Sequence, residues 1–253
     1  MVLATDWVRL LIVCLTFTAA AAAIVRLTGL TAVMPFFTAA TRAVLQLAAV
    51  SAVITFVLGH LGLTGLFLVL MAAVATATSA KRTGARRGAW VAAPILIGTV
   101  PALVLLVAIG LLPLKGISLI PVGGILIGGA MTATTLSARR ALDAFQERHG
   151  EYEAARALGF HERDAVCLVI RQPAAEALVP ALDQTRTVGL VTLPGAFVGM
   201  LLGGAPVWQA GALQIVVLLA LLAVEAAAVA VVVELIARGL IRRTSQDSEV
   251  RLT

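Results

Sequence analysis

The chain has 253 residues, 60% of them hydrophobic and 13% charged, with a mean hydropathy of +1.03. An ordinary soluble domain carries about 25% charged residues, and half that charge cannot cover a water-soluble fold of this size. A typical soluble enzyme and a disordered chain are thereby excluded. What remains is a polytopic membrane protein, because apolar runs recur along the whole length.

The 19 Lys+Arg against 13 Asp+Glu give a formal charge of +6. In a membrane chain such an excess collects in cytoplasmic loops, so no nucleic-acid partner is expected. Cys14 and Cys167 are far apart and form no CxxC, which argues against a disulfide framework or a zinc knuckle. There is no Asn, hence no N-glycosylation acceptor. The first apolar run follows Asp6 and Arg9, is too long for a signal-peptide core and has no clear cleavage site before Arg26, so no cleavable leader is expected.

A helix that crosses lipid needs about 20 largely apolar residues. In chain order, seven stretches qualify: 8–25, 43–61, 64–80, 89–112, 116–137, 187–205 and 210–237. At about 1.5 Å per residue the last exceeds a hydrocarbon core of about 30 Å, so it should tilt or project. With the N-terminus outside, only Arg9 and Lys115 of all the cations fall outside. The expected fold is therefore all-α, a single transmembrane domain over 1–253, with seven helices, N-out and C-in.

The one substantial polar piece, 138–186, lies between the fifth and sixth spans. From Ala138 to Leu158 it reads as an amphipathic helix with Leu142, Phe145, Tyr152 and Ala155 near one face. Arg139 with Asp143 and Arg148 with Glu151 have ion-pair spacing, and Gly159 ends the helix as a left-handed cap. The stretch 164–186 contains Pro173 and Pro180 and the charges Arg171, Glu176, Asp183 and Arg186. It reads as a bent segment at the cytoplasmic surface.

No GxxxxGK[ST], HExxH, GxSxG or helix-opening GxGxxG occurs. No catalytic residue is expected, and no cofactor on this chain. The run Glu153-Ala154-Ala155-Arg156-Ala157-Leu158-Gly159 has the form EAAxxxG. Its small residues give a flat face and its glycine a sharp end, which suit a helix that docks into a partner's groove. Alanine and glutamate are also simply good helix formers.

EAAxxxG in a cytoplasmic loop resembles the coupling helix of ABC-transporter permeases, which docks on a separate ATP-binding subunit. Three further strings resemble one family. They are Arg42-Ala43-Val44-Leu45-Gln46-Leu47, Ile120-Pro121-Val122-Gly123-Gly124-Ile125 and Asp183-Gln184-Thr185-Arg186-Thr187-Val188-Gly189-Leu190-Val191-Thr192-Leu193-Pro194-Gly195. With Gln214-Ile215, in matching order over roughly 40–240, they are similar to the FetB-like (UPF0014) permeases, which include bacterial iron exporters and plant aluminium-tolerance transporter subunits. Gly129 departs from that family's pattern, which has asparagine there. Pro173 sits one residue later than in importer permeases.

The resemblance implies the permease subunit of an ABC transporter in a bacterial inner membrane, exporting iron or another metal ion. Two copies would pair with two ATP-binding subunits, which would carry the ATP and Mg. It implies that Glu153, Ala154, Ala155, Leu158 and Gly159 form the ATPase dock. Read from the residues rather than from the resemblance, the candidates for a gating or substrate path are Gln46, Gly189, Pro194, Gly195, Gly199, Gln214 and Glu225. Within the same class the cargo could be a sugar nucleotide or another small solute. From another class, a proton-coupled secondary transporter would use Glu225, and a membrane scaffold would recruit a partner without flux.

The residues also have readings of their own. Gly195, Gly199 and Gly203 line one helix face, as do Gly124 and Gly128, and suit close packing within one subunit or against a second copy. Pro194 within the sixth span breaks its hydrogen-bond ladder, as a gate or as a tolerated kink. Glu225 is an acid in lipid, which points to a substrate or proton contact or to a polar contact between helices. Glu234, nine residues on, faces the opposite way and has the spacing to pair with Arg238. His60, His149, His161, Cys14, Met34, Met71, Met131 and Met200 show no ligand spacing, so no metal ligand is assigned.

Overall fold

The computed structural model describes residues 7–85 and 88–243, so Arg86, Arg87 and Arg251 lie outside the described residues. Among these the chain is helical, with isolated bridges and no strand. Seven helical stretches are long and apolar enough to cross a membrane. The chain is a multi-pass helical membrane protein that forms two compact units, Met1–Gly59 and His60–Thr253.

The first unit is a helical hairpin of α1 (Trp7–Thr28) and α2 (Met34–Leu58). Gly29, at φ +66°, takes the left-handed turn after α1 that a side chain would resist. Pro35 stands in the first turn of α2, where its missing N–H costs nothing. The helix therefore starts well before the expected 43 and includes Arg42.

In the second unit, α3 (Leu61–Thr83) is followed by a 3₁₀ turn (Gly88–Val91) and α4 (Ala92–Ala108). Then come α5 (Gly116–Glu147), α6 (His149–Ala157), α7 (Glu162–Ala175), a 3₁₀ turn (Glu176–Leu178), α8 (Val179–Thr187), α9 (Gly195–Leu202) and α10 (Val207–Ala237). The pair α5 and α10 is central: α3, α4 and α7 all pack on it. One apolar cluster joins Ala72, Ile95, Leu126, Val217 and Val224. A second joins Leu142, Val166, Ile170, Val232 and Ile236. Between α3 and α5, Thr135 Oγ1 lies 2.9 Å from Ser79 Oγ, a buried polar contact of the kind that ties helices together in lipid.

Three expectations change. Residues 138–158 are not one helix. α5 runs unbroken to Glu147, about 48 Å at 1.5 Å per residue, so its last turns project beyond a 30 Å core, and α6 is a separate short helix. The sixth span is not 187–205 either. The stretch that qualifies is Glu162–Thr187, in which Ala165, Val166, Val169, Ile170, Ala174, Ala177 and Ala181 form a buried stripe. Its charges looked too polar for this. However, Glu176 pairs with Arg140 of α5, and Asp183 pairs with Arg186 at 3.7 Å. Residues 187–205 instead hold a break and then α9, eight residues and about 12 Å long. Finally, Pro194 is not inside a helix. It precedes α9 at φ −64°, ψ 149°.

Candidate functional site

Three features carry the candidate side chains. The first is the polar end of the second unit. Here α6 folds back on the end of α5 through the rings of Phe145, His149 and Tyr152, with centroids 5.3–5.4 Å apart. The helix closes with a Schellman motif: Phe160 N–H donates to Ala155 O at 3.1 Å, and Gly159 N–H donates to Arg156 O at 3.0 Å. Gly159 takes φ +91°, as the cap reading expected. Arg156 Nη1 donates to Phe160 O at 2.5 Å and braces the turn.

Of the expected docking residues, Glu153, Ala154, Leu158 and Gly159 are exposed, Leu158 by 79%. Ala155 is turned inward and buried, so it supports the hairpin rather than presenting a surface. Phe160 is also exposed. Nearby on α7, Asp164, Leu168 and Arg171 line a shallow depression. A Gly159→Ala substitution meets nothing within 4 Å. Its cost is the left-handed backbone alone, about 1–2 kcal/mol, and is read as faster amide exchange across α6.

Arg148 holds Glu151 by two hydrogen bonds, Nε to Oε1 at 2.7 Å and Nη2 to Oε2 at 2.5 Å, and its Nη1 donates to Val169 O at 3.3 Å. The guanidinium holds the Glu151 carboxyl below the usual glutamate range, and the carboxylate in turn raises the arginine. A depressed carboxyl stabilises above its unfolded value, and that contribution disappears as pH falls through the folded one. Exchange protection of 148–160 should therefore drop in acid below the ordinary glutamate range. In Glu151→Gln this component is missing already at neutral pH.

The same end is tied to the spans. Arg163 of α7 grips Glu234 of α10 with both arms, at 3.0 and 2.7 Å, and Arg238 adds the expected intrahelical pair at 2.5 Å. Asp143 pairs with Arg243 at 2.6 Å, rather than with Arg139. The start of α7 is thus fixed to α10 by a bidentate contact.

The second feature is the break from Val188 to Pro194. Gly189, at φ +83°, donates its N–H to Thr192 O at 2.8 Å. Leu190 and Val191 are 90% and 77% exposed. A Cβ built at Gly195 or Gly199 would meet nothing within 4 Å, so that stripe does not pack within the second unit.

The third feature is the seam between α5 and α10. Gln214, Leu218, Leu221 and Glu225 recur at helical spacing and are all buried. Gln214 Oε1 is buried without a partner. Gly129 of α5 faces this row: a Cβ there would stand 2.3 Å from Leu221 Cδ1 and 2.7 Å from Glu225 Oε1. On another side of α10, a Cβ at Gly98 of α4 would stand 2.9 Å from Val224 O. The structure thus brings Gln214 and Glu225 to one seam. Glu234 is separate, on the α7 contact, and Gln46 is exposed on α2 in the first unit. Among the described residues, no group of three or more His, Cys, Asp and Glu comes together.

The chain matches the model of an uncharacterised protein family, UPF0014, over residues 7–241. The chain belongs to the UPF0014 family. Three relatives show its range. The UPF0014 membrane protein STAR2 of Oryza sativa subsp. japonica is 38% identical over 154 residues, 60% of this chain and 53% of that protein. Protein ALUMINUM SENSITIVE 3 of Arabidopsis thaliana is 37% identical over 63% of this chain and 58% of its own length. The probable iron export permease protein FetB of Escherichia coli is 30% identical over 51% and 49%. The chain spans about half the length of the curated relatives it matches. No solved structure matches it.

In this UPF0014 chain, sequence reasoning missed Gly98 and Gly123 as close-approach positions. A Cβ at Gly123 would lie 2.6 Å from Leu68 Cδ2. A glycine in an apolar helix gives no signal of which neighbour it admits. It also missed Arg163, because its partner Glu234 is 71 residues away.

Proposed function

We propose that this chain is the permease subunit of an ABC transporter that exports iron or another metal ion across a bacterial inner membrane. Two copies pair with two separate ATP-binding subunits, which hold the ATP and Mg, and the chain itself catalyses nothing. One observation carries this reading: α6 is exposed at Glu153, Ala154 and Leu158 and leads into α7, which Arg163–Glu234 ties to α10. Closure of the ATPases draws on Glu153, Ala154 and Leu158, and the pull passes to α5 and α10. A two-state change of this kind needs the partner to bind one state better than the other. The uncovered Gly195–Gly199 face of α9 supports a second copy packing there. The break at Gly189–Pro194, Gln214 and Glu225 then line the path.

Metal cargo is supported by the name of the Escherichia coli relative. Cells loaded with radioactive iron and expressing this chain with its ATPase should lose iron faster than cells without it. Unchanged iron loss, with the ATPase still bound, transfers the cargo to a sugar nucleotide or another small solute. Buried Glu225 favours a second reading, a proton-coupled transporter, which would show flux with no ATPase bound.

A further inference from the structure

Glu225 is 9% exposed, and its carboxyl lies in the notch left by Gly129. Among the described residues no hydrogen bond or ion pair reaches it. The elements packed on α10 supply no countercharge. α4, α9 and the stretch of α5 from Gly116 to Ala138 contain no charged residue. At the far end of α5, Arg139 and Glu147 are exposed, Arg140 pairs with Glu176 of the 3₁₀ turn, and Asp143 pairs with Arg243. On α7, Arg163 is engaged by Glu234 and Asp164, Glu162 and Arg171 are exposed, and Cys167 is buried in the apolar cluster. On α8, Asp183 and Arg186 pair with each other at the surface. On α10 itself, Glu234 lies about half a turn round and is held by two arginines.

A carboxylate ion in such a seam loses its hydration with nothing in exchange. A divalent metal needs several oxygen or imidazole ligands, and one acid without companions is not such a site. A proton is the ligand that one carboxyl holds alone. We propose that Glu225 is a proton-binding site, and that it exchanges its proton with water only when α5 and α10 part. The step is balanced: the carboxyl O–H bond breaks, the proton passes to a water molecule admitted by the open seam, and the carboxylate takes it back from water before the seam closes. The parting is on the α5 side. There the contact is between side-chain tips and Gly129, whereas at Gly98 α4 meets the backbone of α10 at Val224.

The inference rests on the two-state permease reading, but its test needs no ATPase. The whole chain, in phospholipid vesicles, is treated with dicyclohexylcarbodiimide, which adds to protonated carboxyls in apolar surroundings. Mass spectrometry is expected to find the adduct on Glu225 in acid buffer and to find it lost in alkaline buffer. A water-soluble carbodiimide should leave Glu225 unmodified, and Glu225→Gln should carry no adduct on that peptide. Absence of the acid-buffer adduct on folded protein, labelling indifferent to pH, or equal labelling by the water-soluble reagent overturns the proposal. Each of these leaves ATPase association unchanged, and failure of that association leaves the labelling unchanged.

Discussion

Replacing Leu158 with glutamate is expected to abolish co-purification with the ATP-binding subunit while membrane insertion and yield stay normal. Leu158 is 79% exposed at the tip of α6 and contributes little to the fold of its own chain. A large apolar residue seated in a partner's groove carries about 2 kcal/mol or more of an interface. A glutamate there also buries a charge without a partner, so the loss in affinity should be thirtyfold or more, at about 1.4 kcal/mol per tenfold. The control is Ala155→Glu. Ala155 is buried under the hairpin, and the variant should lose α6 itself, seen as proteolysis between 148 and 160. If Leu158→Glu retains the ATPase, the dock is elsewhere.

Replacing Gly98 with leucine should have the largest effect on folding. The new Cβ would lie 2.9 Å from Val224 O and 3.1 Å from Val224 Cα, with Ala227 Cβ at 3.3 Å. Backbone atoms cannot rotate away, so α4 and α10 must separate. Overpacking a tight core costs about 1–3 kcal/mol, and separating two spans costs the apolar contacts around Ile95 and Val224 besides. The expected result is little monodisperse protein after mild heating, read by size-exclusion chromatography. Gly129→Ala should be milder, because Leu221 Cδ1 and Glu225 Oε1 are ends of side chains that can turn aside. Gly128→Ala meets nothing within 4 Å and should be neutral or stabilising, since alanine exceeds glycine in helix propensity by about 1 kcal/mol.

Much of the architecture was legible because lipid imposes long apolar helices. The first five and the last of the crossing stretches overlap their expected positions. The sixth was misplaced for a local reason. Thr187–Ala205 is as apolar as a span, but Gly189 and Pro194 break it. Residues 162–187 look polar in one dimension, yet pack an alanine and valine stripe inward and neutralise Glu176 against Arg140. Hydropathy cannot see a pair formed between distant residues. The short helix α6 and its end were legible from EAAxxxG and from Gly159, whose left-handed cap is a short-range signal. The inward direction of Ala155 was not, because it depends on where α5 ends. Glu225 stood out as a charge in lipid, but its fit to Gly129 depends on how two helices that lie far apart in sequence meet.

The central claim is that this chain works as a permease driven by a separate ATPase. It is tested most directly by co-expressing the chain with candidate ATP-binding subunits, purifying it in lipid and measuring ATP hydrolysis. The account predicts a stable complex of two permeases and two ATPases, with an activity that changes on adding Fe(II). No bound ATPase and no hydrolysis above that of the isolated ATPases, with the chain folded, would contradict it.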